Sequence, residues 1–193
     1  MTQPRTATTF PPPVQEARRW LDGVVFPPER LLINVSQAAP TAPPPASMRE
    51  AMAEAILTEP KTHLYGPTLG LPALRAEVAQ QWRAAYNGEI AEGEVAITSG
   101  CNQAFAAAIA TLCAEGDEVI LPTPWYFNHK MWLDMSGVRT VALPAGSGLL
   151  PDPDAARALI TPRTRAIALV TPNNPAGVEY PAELVGAFYD LAQ

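Results

Sequence analysis

Beyond residue 60 the chain alternates four times between helical patterns and short apolar runs, and no other feature of the sequence restricts the fold as much. Leu71, Leu74, Val78, Trp82 and Ala85 recur at three- and four-residue spacing, the mark of one buried helical face. Asn87-Gly88 then stops that helix. A strand is expected over residues 94–98, an Ala-rich helix over 101–113, and a strand over 118–121 after the turn Glu115-Gly116-Asp117. A helix over 125–135 and a strand over 138–143 follow, and Asp152-Pro153 caps and opens a helix that reaches residue 160. Residues 166–170 are wholly apolar and read as a strand, and Pro181 opens a last helix running to residue 193. This order predicts an α/β fold: a largely parallel sheet with helices on both faces.

The front of the chain has a different texture. Eleven of its 22 prolines precede residue 61, in runs such as 11–13 and 43–45, so residues 1–60 read as an arm and entry segment lying over another surface. Residues 61–193 read as the front portion of a ligand-binding domain. With 48% hydrophobic and only 17% charged residues, the composition excludes a solvated disordered chain. Lys and Arg number 13 against 19 Asp and Glu, a formal charge of −6, which gives no general attraction to nucleic acid or anionic lipid. No apolar stretch is long enough to span a membrane, and the first 14 residues hold four prolines where a secretion signal needs an apolar core. Cys101 and Cys113 stand twelve apart on one expected helix, too far along its axis to bridge, and unpaired thiols suit the cytoplasm. No metal site is read. The last helix carries Leu184, Val185, Phe188 and Leu191 but no closing cap, so the sequence is expected to be the front portion of a longer protein.

Three strand exits carry the chemistry. In Ala96-Ile-Thr-Ser-Gly-Cys-Asn-Gln103 an apolar run passes through a Ser-Gly turn directly into a helix, which aims backbone N–H groups and a helix dipole at one spot. An anion such as a phosphate ester fits there; a plain helix cap has the same sequence. Neither a Walker loop nor a dinucleotide fingerprint occurs. In Leu121-Pro-Thr-Pro-Trp-Tyr-Phe-Asn-His129 two prolines fix the exit and three aromatics follow, a stacking platform or ordinary core. His129 receives no role. In Val170-Thr-Pro-Asn-Asn-Pro-Ala-Gly177 a tight turn leaves Asn174 as a fixed neutral donor, or as an Asx-turn residue without a ligand. Together, a phosphate cradle, an aromatic face and an oriented amide at the carboxyl ends of successive strands describe a site for pyridoxal phosphate.

Four ordered motifs carry a family resemblance. Tyr65-Gly-Pro-Thr-Leu-Gly-Leu-Pro-Ala-Leu-Arg75, Thr98-Ser-Gly-Cys-Asn-Gln103, Gly116-Asp-Glu-Val-Ile-Leu-Pro-Thr-Pro124 and Pro172-Asn-Asn-Pro-Ala-Gly177 resemble the front half of the class I and II aminotransferases, fold-type I pyridoxal-phosphate enzymes. The resemblance covers roughly residues 30 to 193. It implies that Gly100, Cys101 and Asn102 hold the cofactor phosphate, that Tyr126 stacks on the pyridine, and that Asn174 bonds the phenolic oxygen. It implies that Tyr65 reaches the phosphate of the neighbouring subunit in a homodimer. Ile33-Asn-Val-Ser-Gln-Ala-Ala-Pro40 resembles the family's entry loop near the substrate carboxylate, with Ala38 where many members have glycine. Ala38 and Asn174 are thereby the expected substrate contacts. Pro-Ala-Gly replaces the commoner Pro-Thr-Gly after Asn174.

The family also needs a lysine for the cofactor's aldehyde carbon, an Asp for the pyridine nitrogen and an Arg for the substrate carboxylate, in sequence that follows the last helix. The only lysines are Lys61 and Lys130, and neither follows a late strand. The resemblance therefore implies transfer of an amino group from an amino acid to a 2-oxo acid by the complete protein, and no such activity in this segment alone. A lyase or synthase on the same cofactor fold is the alternative within enzymes. A non-catalytic ligand-binding or interaction protein is the alternative outside them.

Overall fold

The computed structural model describes residues 3–37 and 39–193, and the chain divides into two compact units. One comprises Gly100–Gln193 with the amino-terminal segment through Val25; the other is Phe26–Ser99.

In the first unit, helix α1 (Pro13–Arg19) begins on a proline, which suits a first turn whose N–H groups have no helical acceptor. Residues 5–9 lie against the far end of a later helix described below. In the second unit, α2 (Ala46–Thr58) lies inside the proline-rich segment that reads as an extended arm. The prolines stop at Pro45, and the next thirteen residues are rich in Ala, Met and Glu, all good helix formers. The segment read as an arm therefore contains a helix of thirteen residues. Helix α3 (Pro72–Tyr86) follows the expected periodicity, and Asn87 ends it in the left-handed conformation (φ 51°, ψ 30°).

The strand expected over residues 94–98 is absent among the described residues. Val95 is extended (φ −106°, ψ 128°), but other groups take up the backbone nearby. The Ile97 N–H donates to the Leu69 carbonyl at 2.9 Å, and Arg75 Nε donates to the Val95 carbonyl at 2.8 Å. A loop and a guanidinium occupy places that a neighbouring strand would fill.

Returning to the first unit, α4 (Cys101–Leu112) leads into β1 (Glu118–Thr123), α5 (Phe127–Ser136) and β2 (Arg139–Pro144). Then come α6 (Pro153–Leu159), β3 (Thr164–Ile167) and α7 (Ala182–Ala192). Asp152 caps α6 as its sequence predicts, its Oδ1 accepting from Asp154 N–H at 2.9 Å. The strands are parallel in the order β2-β1-β3. Successive crossovers therefore step in opposite directions across β1, and crossovers of one hand that do so must put their helices on opposite faces.

The core obeys this rule. Val119 and Leu121 of β1 pack with Ile109 of α4 and Leu133 of α5, while Ile120 packs with Leu143, Ala156 of α6 and Phe188 of α7. Full burial of each of these three β1 side chains contributes about 1.5–3 kcal/mol, so the strand that feeds the aromatic exit is firmly held.

At its amino-terminal end β1 starts on Glu118, a buried carboxylate. It accepts hydrogen bonds from the Thr161 hydroxyl at 2.7 Å, from Arg139 at 2.9 Å and from Arg163 at 3.0 Å. The Thr161 bond, then Arg163, holds its carboxyl below the usual carboxylate range. This cluster closes the end of the sheet opposite to the loops considered next.

Candidate functional site

At the carboxyl end of the sheet, the α4 entrance is built around Gly100. Its backbone (φ 87°, ψ 169°) lies in a region open essentially only to glycine, and nothing stands within 4 Å of where a Cβ would project. Both features leave a clear approach to the first turn of α4 at Cys101 and Asn102. The Gly100 carbonyl accepts from Ala104 N–H at 3.3 Å, so the helix is closed behind that open face. Cys101 and Asn102 are exposed on the first turn. A helix entrance of this kind is one to which anions are attracted in general.

The aromatic exit follows β1. The Thr123–Pro124 peptide is cis, and Tyr126 is the cap residue of α5. Asn128 Nδ2 donates to the Tyr126 hydroxyl at 2.7 Å, which fixes the ring's outer end. The ring stands edge-on to His129, with centroids 5.0 Å apart at 84°. His129 in turn stacks on Phe105 of α4. Phe105 is one turn from Cys101 and His129 about one turn from Tyr126, so this stack sets the opening turns of α4 and α5 side by side. Burial pushes the His129 imidazole below its ordinary value. Lys130 is tied to Asp134 one turn further along α5.

The third exit is the loop after β3, with cis peptides at Thr171–Pro172 and Asn174–Pro175. Asn173 is buried and Asn174 exposed. Asn173 Nδ2 donates to the Tyr180 hydroxyl at 2.9 Å, and its Oδ1 accepts from Ala176 N–H at 3.0 Å. One cavity is lined by Leu121, Trp125, Tyr126, His129, Val170 and Asn173, so the β1 and β3 exits meet at one place.

The structure thus brings Tyr126 together with the loop that carries Asn174, and joins both to α4 through His129 and Phe105. Asn173, not Asn174, enters the cavity wall, and sequence reasoning missed it. The available signal was the doubled Asn followed seven residues later by a tyrosine. Tyr65 lies in the other unit and is fully exposed. Ala38 lies outside the described residues.

Comparison with known proteins agrees with this architecture. The family described as Aminotransferase class I and II matches residues 30–193. The chain is 34% identical over 163 residues to a probable aspartate/prephenate aminotransferase of Thermus aquaticus, covering 83% of this chain and 42% of that protein. It is also 34% identical over 164 residues to a probable N-succinyldiaminopimelate aminotransferase of Mycobacterium tuberculosis, covering 83% of this chain and 41% of that one. The chain therefore spans about two fifths of the length of these relatives. A single mutant of Thermus thermophilus aspartate aminotransferase superposes with a TM-score of 0.86 at 28% identity, covering 100% of this chain and 50% of that structure. With the family match and the structural superposition in agreement, the chain belongs to the class I and II aminotransferase family and carries part of its fold-type I α/β domain.

Proposed function

We propose that this chain forms the phosphate-holding front of a pyridoxal-phosphate-dependent aminotransferase, which moves an amino group from an amino acid to a 2-oxo acid. The observation that carries this reading is Gly100: a glycine-only backbone with open space above it, leading directly into the amino-terminal turn of a twelve-residue helix.

Each residue then has a physical role. The first turn of α4 attracts the phosphate through its N–H groups and dipole, the dipole alone being worth about 0.3–1 kcal/mol. Asn102 adds an amide donor beside it, and Cys101 contributes mainly its backbone N–H. Tyr126 covers one face of the pyridine ring and excludes water from it. Asn174 donates to the phenolic oxygen, favouring its ionised form. Once bound, the cofactor supplies an electron sink for the substrate's α-carbon. Asn174 is a substrate contact in this reading. Tyr65, fully exposed on its own chain, serves the phosphate of a second copy in a homodimer. The pairing of Lys130 with Asp134 supports a cofactor lysine other than Lys130. Two unpaired cysteines suit a cytoplasmic setting.

The test is a titration followed by a half-reaction. The 193-residue chain should bind pyridoxal 5′-phosphate without forming a borohydride-stable adduct on Lys61 or Lys130. A stoichiometric adduct on either lysine, or failure of the protein's complete reading frame to convert a bound amino acid to its 2-oxo acid, overturns the reading.

A further inference from the structure

The loop after β3 is fastened by a buried polar pair whose purpose is not apolar packing. Asn173 is 7% exposed and Tyr180 5%, and each has its polar atoms engaged. Besides the amide–phenol bond and the Ala176 contact, Asn173 N–H donates to the Val178 carbonyl at 2.7 Å, and its own carbonyl accepts from Gly177 N–H at 2.7 Å. Tyr180 N–H donates to Thr171 Oγ1 at 2.8 Å. These bonds close a ten-residue loop at both ends and across its middle.

Apolar residues of the same size would fill this space without the need to match donors to acceptors. What the polar pair adds is direction. Asn173 Oδ1 is committed to Ala176 and Nδ2 to Tyr180, so this side chain is turned into the protein and held there. Its neighbour Asn174, between Asn173 and Pro175, is turned out of it. We propose that Asn173 and Tyr180 are positioning residues, whose hydrogen bond fixes the direction of the Asn174 amide at the edge of the site. This rests on the reading of Asn174 as the donor to the cofactor's phenolic oxygen.

The probe is pyridoxamine 5′-phosphate, whose ultraviolet band moves with phenol ionisation and which needs no lysine to bind. The pH dependence of that band is measured with the protein, Tyr180→Phe, Asn173→Asp and Asn174→Ala, together with amide exchange at Ala176 and Gly177. Asn174→Ala should move the profile to higher pH. Tyr180→Phe should move it the same way by a smaller amount, and speed exchange at Ala176 and Gly177 at least tenfold. Asn173→Asp keeps an acceptor for Ala176 N–H and can accept from the Tyr180 hydroxyl, so it should hold exchange at Ala176 and Gly177 near the original rate, while its added charge moves the profile to higher pH. If Asn174→Ala moves the profile and Tyr180→Phe does not, the positioning role is wrong while the reading of Asn174 stands. If Asn174→Ala itself moves nothing, that reading fails and this proposal with it. Should Tyr180→Phe not fold, Thr171→Val removes the acceptor for Tyr180 N–H and loosens Tyr180 at its backbone; it should move the profile the same way, and an unmoved profile overturns the positioning role.

Discussion

The imidazole of His129 lies flat on the ring of Phe105, centroids 3.8 Å apart and planes within 13°. This contact joins α4, which begins at Gly100, to α5, which begins at Tyr126. Phe105→Ala removes one half of it at a half-buried position. We expect a loss of about 2 kcal/mol, below the roughly 3–5 kcal/mol of a fully buried Phe, with weaker cofactor binding. Urea unfolding and a cofactor titration measure the two effects.

The same stack makes stability sensitive to pH. Burial lowers the affinity of His129 for a proton, so near the ordinary imidazole value the unfolded chain takes up a proton that the folded protein resists. Stability should therefore decline as pH falls from about 7 to about 5, and His129→Gln should flatten that part of the curve. Urea midpoints across this range check it; an unchanged slope in His129→Gln contradicts it.

Glu118 acts in a lower pH window. Its carboxyl is held below the ordinary range by Thr161, then Arg163, so its contribution is present above the unfolded carboxylate value and is lost as pH falls through the folded one. Glu118→Gln should lower the melting temperature at neutral pH. In acid the variant and the original should converge, because both are then uncharged at this position. Thermal melts at several pH values give the answer.

Two glycines should fail for different reasons when replaced. At Gly70 (φ 100°) a Cβ would come within 2.6 Å of the Ile97 side chain, whereas at Gly100 it would meet nothing within 4 Å. Gly70→Ala should cost about 1–3 kcal/mol from strain, plus a steric part that Ile97→Gly relieves, because both the Cγ1 and the Cβ of Ile97 stand within 3 Å of the added carbon. Gly100→Ala should cost about 1–3 kcal/mol from backbone strain alone, with no relief from any neighbour. Denaturant midpoints of the single and double variants separate the two.

Much of this was legible in the sequence because helix and strand signals there are local. Asp152-Pro153 and Asn87-Gly88 mark helix ends by side-chain and backbone chemistry that needs no distant partner. Residues 94–98 misled because an apolar run becomes a strand only when another strand meets it, and here Leu69 and Arg75 take up its backbone. The helix at Ala46–Thr58 was hidden by the prolines just before it, although its own residues favour helix. Asn173 was passed over for a similar reason: its value comes from Tyr180, and that contact exists only after the loop has closed.

In the proposed function the turn at Gly100 receives the phosphate of the cofactor. Equilibrium titration of the protein with pyridoxamine 5′-phosphate and with unphosphorylated pyridoxamine, repeated with Gly100→Val, tests it most directly. The account predicts saturable binding of the phosphorylated compound, at least tenfold weaker binding of the other, and loss of that preference in Gly100→Val while the variant remains folded. Equal affinity for the two compounds, or an undiminished preference in Gly100→Val, would contradict it.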